Sequence, residues 1–260
     1  MNPYRLARRG VGRILRAIPW TRRWLMLSPD YTVVTMEEAR RRQQNGWHSR
    51  RVAAHQDAAY RNLLEAMHAG DPRIDLSVAA QAVDAAGLSA PSLLEVGCGS
   101  GYYCEILATL ASSHIRYVGL DYSAAMVKRA RARYPQGRFE VGDATALAHP
   151  DDAFDIVFNG VSLMHILDYQ KAIAESARVA RHAVIFHSVP VFPDHRTTQL
   201  HKYAYGGPMV ESVFNRGELL QLFTASGLTV TRTWRTIEYD VSHVVGAASY
   251  AETFLCRRAS

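Results

Sequence analysis

Apolar positions change rhythm near residue 92. Before it they recur three and four apart, as on one face of a helix; after it they come in short solid runs separated by helical stretches. Val11, Ile14, Leu15 and Ile18 form a first stripe with Arg9, Arg13 and Arg16 between them, and Pro19 discourages continuation. A second helix is expected over 48–69 with Val52, Ala59, Leu63, Leu64 and Met67 inward. Asp71-Pro72 breaks it, and a third helix over 75–86 stops at Gly87. From Ser92 the pattern predicts a strand to Val96, a helix from about Tyr102, a strand over Ile115–Leu120, a helix from about Ala124 and a strand over Arg138–Val141. Phe154–Phe158, a helix over Tyr169–Ala180 and a strand over Ala183–Ser188 follow. Beyond a His-rich stretch at 190–210, a helix over Arg216–Ser226 ends at Gly227, with strands near Thr229–Thr236 and Glu252–Cys256. Strands alternating with helices predict an α/β fold: a doubly wound, mostly parallel sheet with helices on both faces, preceded by a helical N-terminal arm.

Composition sets limits. With 260 residues, 48% hydrophobic and 21% charged, the chain is suited to a globular fold, and no apolar run approaches the length of a membrane-spanning helix. Its three cysteines, Cys98, Cys104 and Cys256, lack the spacing of a disulfide framework or a cysteine zinc site, so a reducing, cytoplasmic setting is expected. The net charge of +6 suggests a nucleic-acid partner until it is located. Residues 1–51 carry +9 and the rest of the chain −3, so the basicity belongs to the arm. A basic amphipathic arm packs on the body or a second subunit, contacts a membrane peripherally, binds nucleic acid or serves as a transit peptide. Nucleic acid is not favoured as a partner, and the oligomeric state is open.

The chemistry concentrates in Leu93-Leu94-Glu95-Val96-Gly97-Cys98-Gly99-Ser100-Gly101, where an apolar strand runs into three alternating glycines and then a helix. Backbone there can turn tightly and approach a ligand. A dinucleotide fingerprint would place glycine where Tyr102 stands, and Glu95 would repel a pyrophosphate while accommodating a cationic ligand. Asp121 ends the next strand, where a carboxylate can accept both ribose hydroxyls. Asp143 ends the third, beside Ala144, in position to hold an adenine edge. Three acids at three successive strand ends describe one nucleoside site.

With Glu95–Gly101, Asp121, Gly142-Asp143-Ala144, Phe154-Asp155-Ile156-Val157-Phe158 and the Ser162–Asp168 segment leading into Ala177-Arg178-Val179, the chain resembles class I S-adenosylmethionine-dependent methyltransferases over about residues 88–258. The resemblance implies a Rossmann-like domain and S-adenosyl-L-methionine as cofactor. It places Glu95, Gly97, Cys98, Gly99, Gly101, Asp121, Tyr122, Asp143, Ala144 and Asn159 against that cofactor. The family's glycine-rich turn after Arg-Val is replaced by Ala180-Arg181-His182. Gly46-Trp47, Gly101-Tyr102-Tyr103 and Tyr205-Gly206-Gly207-Pro208 also resemble a bacterial group that occurs with surface-polysaccharide assembly.

The implied reaction is in-line transfer of the sulfonium methyl group to an acceptor, with proximity and alignment supplying most of the acceleration. A hydroxyl acceptor benefits from a base, and His165, after the fourth strand, is the leading candidate; His187, His195 and His201 are alternatives, and a structural role competes for each. Asp194, His195 and His201 match no standard metal spacing, and metal-dependent relatives carry an acid where Asn159 stands, so no metal is expected. Asn159-Gly160-Val161-Ser162 lacks the run used to hold a nucleobase amine. Trp20, Trp24, Tyr31, Trp47, Tyr203 and Tyr205 either anchor the arm or line an acceptor pocket. The expected organisation is therefore an arm and lid over 1–87 and a methyltransferase domain over 88–260, with 190–215 inserted on the acceptor side. The favoured activity is O-methylation of a sugar or small-metabolite hydroxyl. N- or carboxyl-methylation, a non-catalytic cofactor-binding role at a glycan assembly, and NAD-dependent oxidoreduction stand as alternatives.

Overall fold

A computed structural model describes residues 31–43, 47–205 and 207–258. The stripe at 11–18, Trp20, Trp24, Gly46 and thus most of the basic arm lie outside the described residues. The order is β1 (Thr32–Val34), α1 (Met36–Gln43), α2 (Arg50–His68), α3 (Ile74–Asp84), β2 (Ser92–Val96), α4 (Tyr102–Leu110), β3 (Arg116–Asp121), α5 (Ala124–Arg133), β4 (Arg138–Val141) and β5 (Phe154–Gly160). There follow a 3₁₀ turn (Leu163–His165), α6 (Tyr169–Val179), β6 (Ala180–Phe192), β7 (Thr198–Ala204), β8 (Gly207–Asn215), α7 (Arg216–Ala225), β9 (Leu228–Arg235), α8 (Ser242–Val245) and β10 (Tyr250–Arg258).

The parallel strands are solid apolar runs because both faces of their sheet are covered. Leu94 and Val96 of β2 join Ile173 and Ala177 of α6 and Leu219 and Phe223 of α7 on one face. Leu93 joins Leu76 and Val83 of α3 and Ile106 and Leu107 of α4 on the other. Pairing runs β4-β3-β2-β5-β6-β10-β9, parallel from β4 through β6, with β10 antiparallel to both β6 and β9. The chain leaves β2 toward β3 and β4 on one side, then returns to build β5 and β6 on the other. That reversal opens a crevice beyond the carboxyl ends of β2 and β5.

The stretch after β6 differs from expectation. It forms an antiparallel hairpin, β7 with β8, to which β1 adds in register from Thr32↔His201 to Val34↔Gln199. β8 joins the main sheet through Val191↔Phe214 and Phe192↔Asn215. The described part of the arm is therefore not wholly helical, since β1 pairs with β7. β6 also runs past the predicted Ser188, through a bulge at which Ser188 has φ +53°. Thr253 Oγ1 takes the Ser188 N–H at 3.1 Å, so the extra residue is satisfied and Ser188 turns into the crevice.

On α2 the inward face is Val52, Ala53, Gln56, Leu64 and Met67; Ala59 is exposed. The stripe is rotated toward positions 52, 56, 60 and 64, one every fourth residue. No helix among the described residues is long and apolar enough to cross a membrane.

Candidate active site

A cavity of about 930 Å³ occupies the crevice at the chain reversal. That volume lies at the large end of ligand sites, with room for a nucleoside-sized cofactor and a small acceptor together. Gly97, with φ +77°, forms its floor, and a Cβ there would overlap the side chain of Ser162. Ser162 is held in turn by donating to the Val96 carbonyl at 2.6 Å. The bare backbone at Gly97 therefore lets the β2 and β5 turns meet.

Asp121 organises the glycine loop. Its Oδ2 accepts the Gly99 N–H at 2.9 Å and its Oδ1 the Ser123 N–H at 2.8 Å, and the carboxylate is buried at the cavity wall. Burial pushes its pKa above the ordinary carboxylate value, opposed by these two N–H donors and by His48. One lone pair on each oxygen remains after these bonds, as recognition of two adjacent hydroxyls requires. Tyr122 follows on the rim, edge-on to His48 at 4.6 Å. Asp143 and Ala144 line the same end, where Asp143 Oδ1 accepts both the N–H and the hydroxyl of Thr145 at 2.8 Å.

Four residues expected against the cofactor stand behind the wall instead. Glu95 points to the α4 side of the sheet, fully buried, takes the Tyr117 hydroxyl and has its pKa pushed by burial up to about 8, with Tyr117 opposing. It presents no charge to the cavity. The Cys98 side chain packs with Val127, Ala130 and Phe139. Gly101 caps α4 at φ +82°, and a Cβ there would strike Phe139. Its absent side chain serves packing of that helix. Asn159 Nδ2 donates to Ser176 at 3.3 Å, inside the core. Strand alternation explains Glu95 and Asn159: the motif places the backbone correctly, but successive side chains face opposite sides.

Sequence reasoning passed over Gln56. It lies on the inward face of α2, over Gly99, with its buried Oε1 lacking a hydrogen-bond partner among the described residues. A polar residue on an otherwise apolar helical stripe was the available signal. Nearby Arg73 grips Asp75 through a fork at 2.6 and 2.5 Å, also on the cavity.

At the other end His165 sits in the 3₁₀ turn. Its Nδ1 lies 3.0 Å from the Val210 carbonyl, which can only accept, so in the neutral imidazole the proton is on Nδ1 and the lone pair on Nε2. Burial lowers its pKa, partly offset by Glu211 and the Val210 bond. Trp47 stands edge-on to it at 5.0 Å and 5.9 Å from Tyr205. Gln43 donates to the His165 carbonyl, and Ser123 Oγ donates to the Trp47 carbonyl at 2.8 Å. Gln43 at the end of α1 and Trp47 before α2 thus touch both ends of the cavity. Tyr31 and Tyr205 line it; Tyr203, the other aromatic expected there, is exposed outside.

The alternative bases are displaced from this surface. His187 is wholly buried between Phe158 and Tyr103, bonds Thr253 Oγ1 at 2.8 Å, and has its pKa lowered by burial to about 4. His195 packs on Phe192, and neither it nor His201 lines the cavity.

The sequence model described as "Methyltransferase domain" matches residues 94–187, from β2 into the middle of β6. Residues 94–187 carry a methyltransferase domain of the S-adenosylmethionine-dependent kind. A protein of Mycolicibacterium smegmatis described as a probable S-adenosylmethionine-dependent methyltransferase is 34% identical over 145 residues, 54% of this chain and 53% of that one. Trans-aconitate 2-methyltransferase of Variovorax paradoxus is 31% identical over 143 residues, 53% of this chain and 54% of that one. The chain spans about half the length of these two relatives. The structure of magnesium protoporphyrin IX methyltransferase from Synechocystis with bound S-adenosylmethionine shares the fold, with a TM-score of 0.51, 17% identity and 96% of each chain covered.

The cofactor of this methyltransferase domain family is S-adenosyl-L-methionine, and the residues present fit it. Asp121 suits the ribose, the Asp143-Ala144 turn the base, and the unpartnered Gln56 oxygen an ammonium group. Three cations (Arg40, Arg73, Lys202) and five carboxylates (Asp75, Asp121, Asp143, Asp168, Glu211) line the cavity, an excess of negative charge suited to a cationic ligand.

Proposed function

We propose that this protein methylates a hydroxyl group of a sugar or small metabolite, using S-adenosylmethionine bound by Gly97, Gly99, Asp121, Tyr122, Asp143 and Ala144. The cofactor supplies a methyl group already activated on sulfonium sulfur. The chain's own work is to align the acceptor, keep water out and remove a proton. The observation that carries the reading is the tautomer of His165. With Nδ1–H committed to Val210, Nε2 is left as the acceptor of a ring that lines the cavity, and the lowered pKa keeps it unprotonated at neutral pH. A carboxylate acceptor would have no use for such a base. Trp47 and Tyr205 offer aromatic faces for a ring beside it.

Calorimetry tests the cofactor part. S-adenosylmethionine and S-adenosylhomocysteine should both bind, and Asp121→Ala should weaken each by about 10- to 100-fold, as loss of hydrogen bonds to a charged group does. Binding of NADH in their place rejects the reading. A labelled-methyl screen of cell extract, with mass spectrometry of the product, tests the acceptor part; labelling confined to amines or carboxylates rejects hydroxyl transfer.

A further inference from the structure

Four residues on the acceptor side form one buried network. Glu211 on β8 is 2% exposed. Its Oε2 accepts hydroxyls from Tyr31 at 3.0 Å and Tyr239 at 2.8 Å, and its Oε1 pairs with Lys202 on β7. Lys202 also donates to the Tyr31 oxygen at 2.9 Å. All four line the cavity, and all lie outside the 94–187 segment that carries the family match. They come from β7, β8, the residue before β1 and the loop after β9, so only the folded hairpin assembles them.

A pair of opposite charges buried in a fold is rarely worth its desolvation as a stabilising device, so its place on a ligand cavity calls for a reason. Burial raises the Glu211 pKa, yet Lys202, through its charge and hydrogen bond, and the Tyr239 hydroxyl hold it below the ordinary value, and Glu211 is the principal charge opposing burial at Lys202. The pair is ionised at neutral pH. Among the described residues Lys202 uses two of its three N–H groups, and Glu211 Oε1 accepts one bond of the two it can take. The network therefore offers a donor and an acceptor side by side. A hydroxyl does both jobs; a carboxylate or phosphate only accepts and would face Glu211. The other cations on the cavity are likewise neutralised, Arg40 by Asp168 at 2.6 Å and Arg73 by Asp75.

We propose that the Lys202–Glu211 pair, braced by Tyr31 and Tyr239, is the acceptor-recognition site and selects a neutral ring carrying adjacent hydroxyls, one held by the pair and its neighbour presented to His165. The inference rests on the methyltransferase reading above. Two sources share this chemistry, a sugar and a catechol, and the test separates them.

The full chain saturated with S-adenosylhomocysteine is examined by saturation-transfer NMR against methyl glucoside, methyl mannoside, catechol, glucuronate, benzoate and glucosamine. At least one neutral diol should bind in preference to the anions, a glycoside identifying a sugar acceptor and catechol an aromatic one. Lys202→Met should weaken that binding about tenfold or more, and Tyr239→Phe by less. Glu211→Gln removes the negative charge but keeps Lys202, so glucuronate or benzoate should gain on the neutral diol by about tenfold. S-adenosylhomocysteine affinity, measured in each variant, should stay within about twofold and shows that the fold survives. Should Lys202→Met fail to fold, the selectivity inversion in Glu211→Gln decides alone. Preference of the unaltered chain for an anion or the amine, binding of none of the three neutral diols, or unchanged selectivity in Glu211→Gln overturns the proposal while the cofactor reading stands. Absence of S-adenosylhomocysteine binding overturns both.

Discussion

Single side chains divide into those whose role follows from their type and spacing and those whose role depends on direction. Asp121 is of the first kind: an acid ending a strand twenty positions beyond Gly101, lying on the cavity where a nucleoside site needs it. Glu95 is of the second, because its strand position decides that it faces α4 and Tyr117. His165 belongs between them, since its place after β5 was readable but its tautomer depends on the Val210 carbonyl, forty-five residues away in sequence. A prediction follows at this scale. Because burial lowers the His165 pKa, protonation switches the base off only below the ordinary histidine value. With saturating cofactor and a validated acceptor, kcat should rise with pH through a value under about 6.5 and then stay level toward pH 8. His165→Ala should lose that acidic limb and about 10²- to 10⁴-fold in kcat, with cofactor affinity unchanged. Equal turnover in the variant would reject His165 as the base.

Among elements, the parallel strands and their helices were legible because each buries apolar residues on two faces and leaves a solid run in the sequence. The β7–β8 hairpin was not. Its strands carry Lys202 and Glu211, whose hydrogen-bond partners Tyr31, just before β1, and Tyr239, in the loop after β9, come from elsewhere in the chain. β1 itself, three residues long, is defined by its pairing with β7. The glycines of the β2 turn test how elements meet. Gly97 and Gly227 both have positive φ, at +77° and +74°, but a Cβ at Gly227 meets open space whereas one at Gly97 overlaps Ser162. Gly227→Ala should cost about 1 kcal/mol from backbone strain alone. Gly97→Ala should cost about 2–5 kcal/mol, since overpacking adds to strain, and should abolish cofactor binding. Chemical denaturation of the two variants checks this; equal losses would show that the approach of the β2 and β5 turns is not tight.

For the whole molecule, two buried groups on the same side of the sheet pull stability in opposite directions with pH. His187, with a folded pKa near 4, resists protonation that the unfolded chain accepts, so stability falls as pH drops from about 6.5 toward 4. Glu95, with a folded pKa near 8, holds a proton that the unfolded chain releases, so its contribution is full below about 4.5 and is lost as pH rises to 8. Glu95→Gln should flatten the second slope. Its unfolding free energy relative to the unaltered chain should climb between pH 5 and 8 by about 1.4 kcal/mol per unit at most. Parallel curves in denaturant titrations across that range would show Glu95 ionised in the fold. The sequence by itself determined the alternating strands and helices of the parallel sheet, the glycine turn and the Asp121 and Asp143 positions, because these rest on local periodicity and on backbone conformations confined to a few neighbouring residues. Only the tertiary structure decided which side of the sheet Glu95 faces, that Gln56 overhangs Gly99, and that Tyr31, Lys202, Glu211 and Tyr239 line one cavity with His165. Those arrangements depend on contacts between residues far apart in the chain, and no local pattern encodes them.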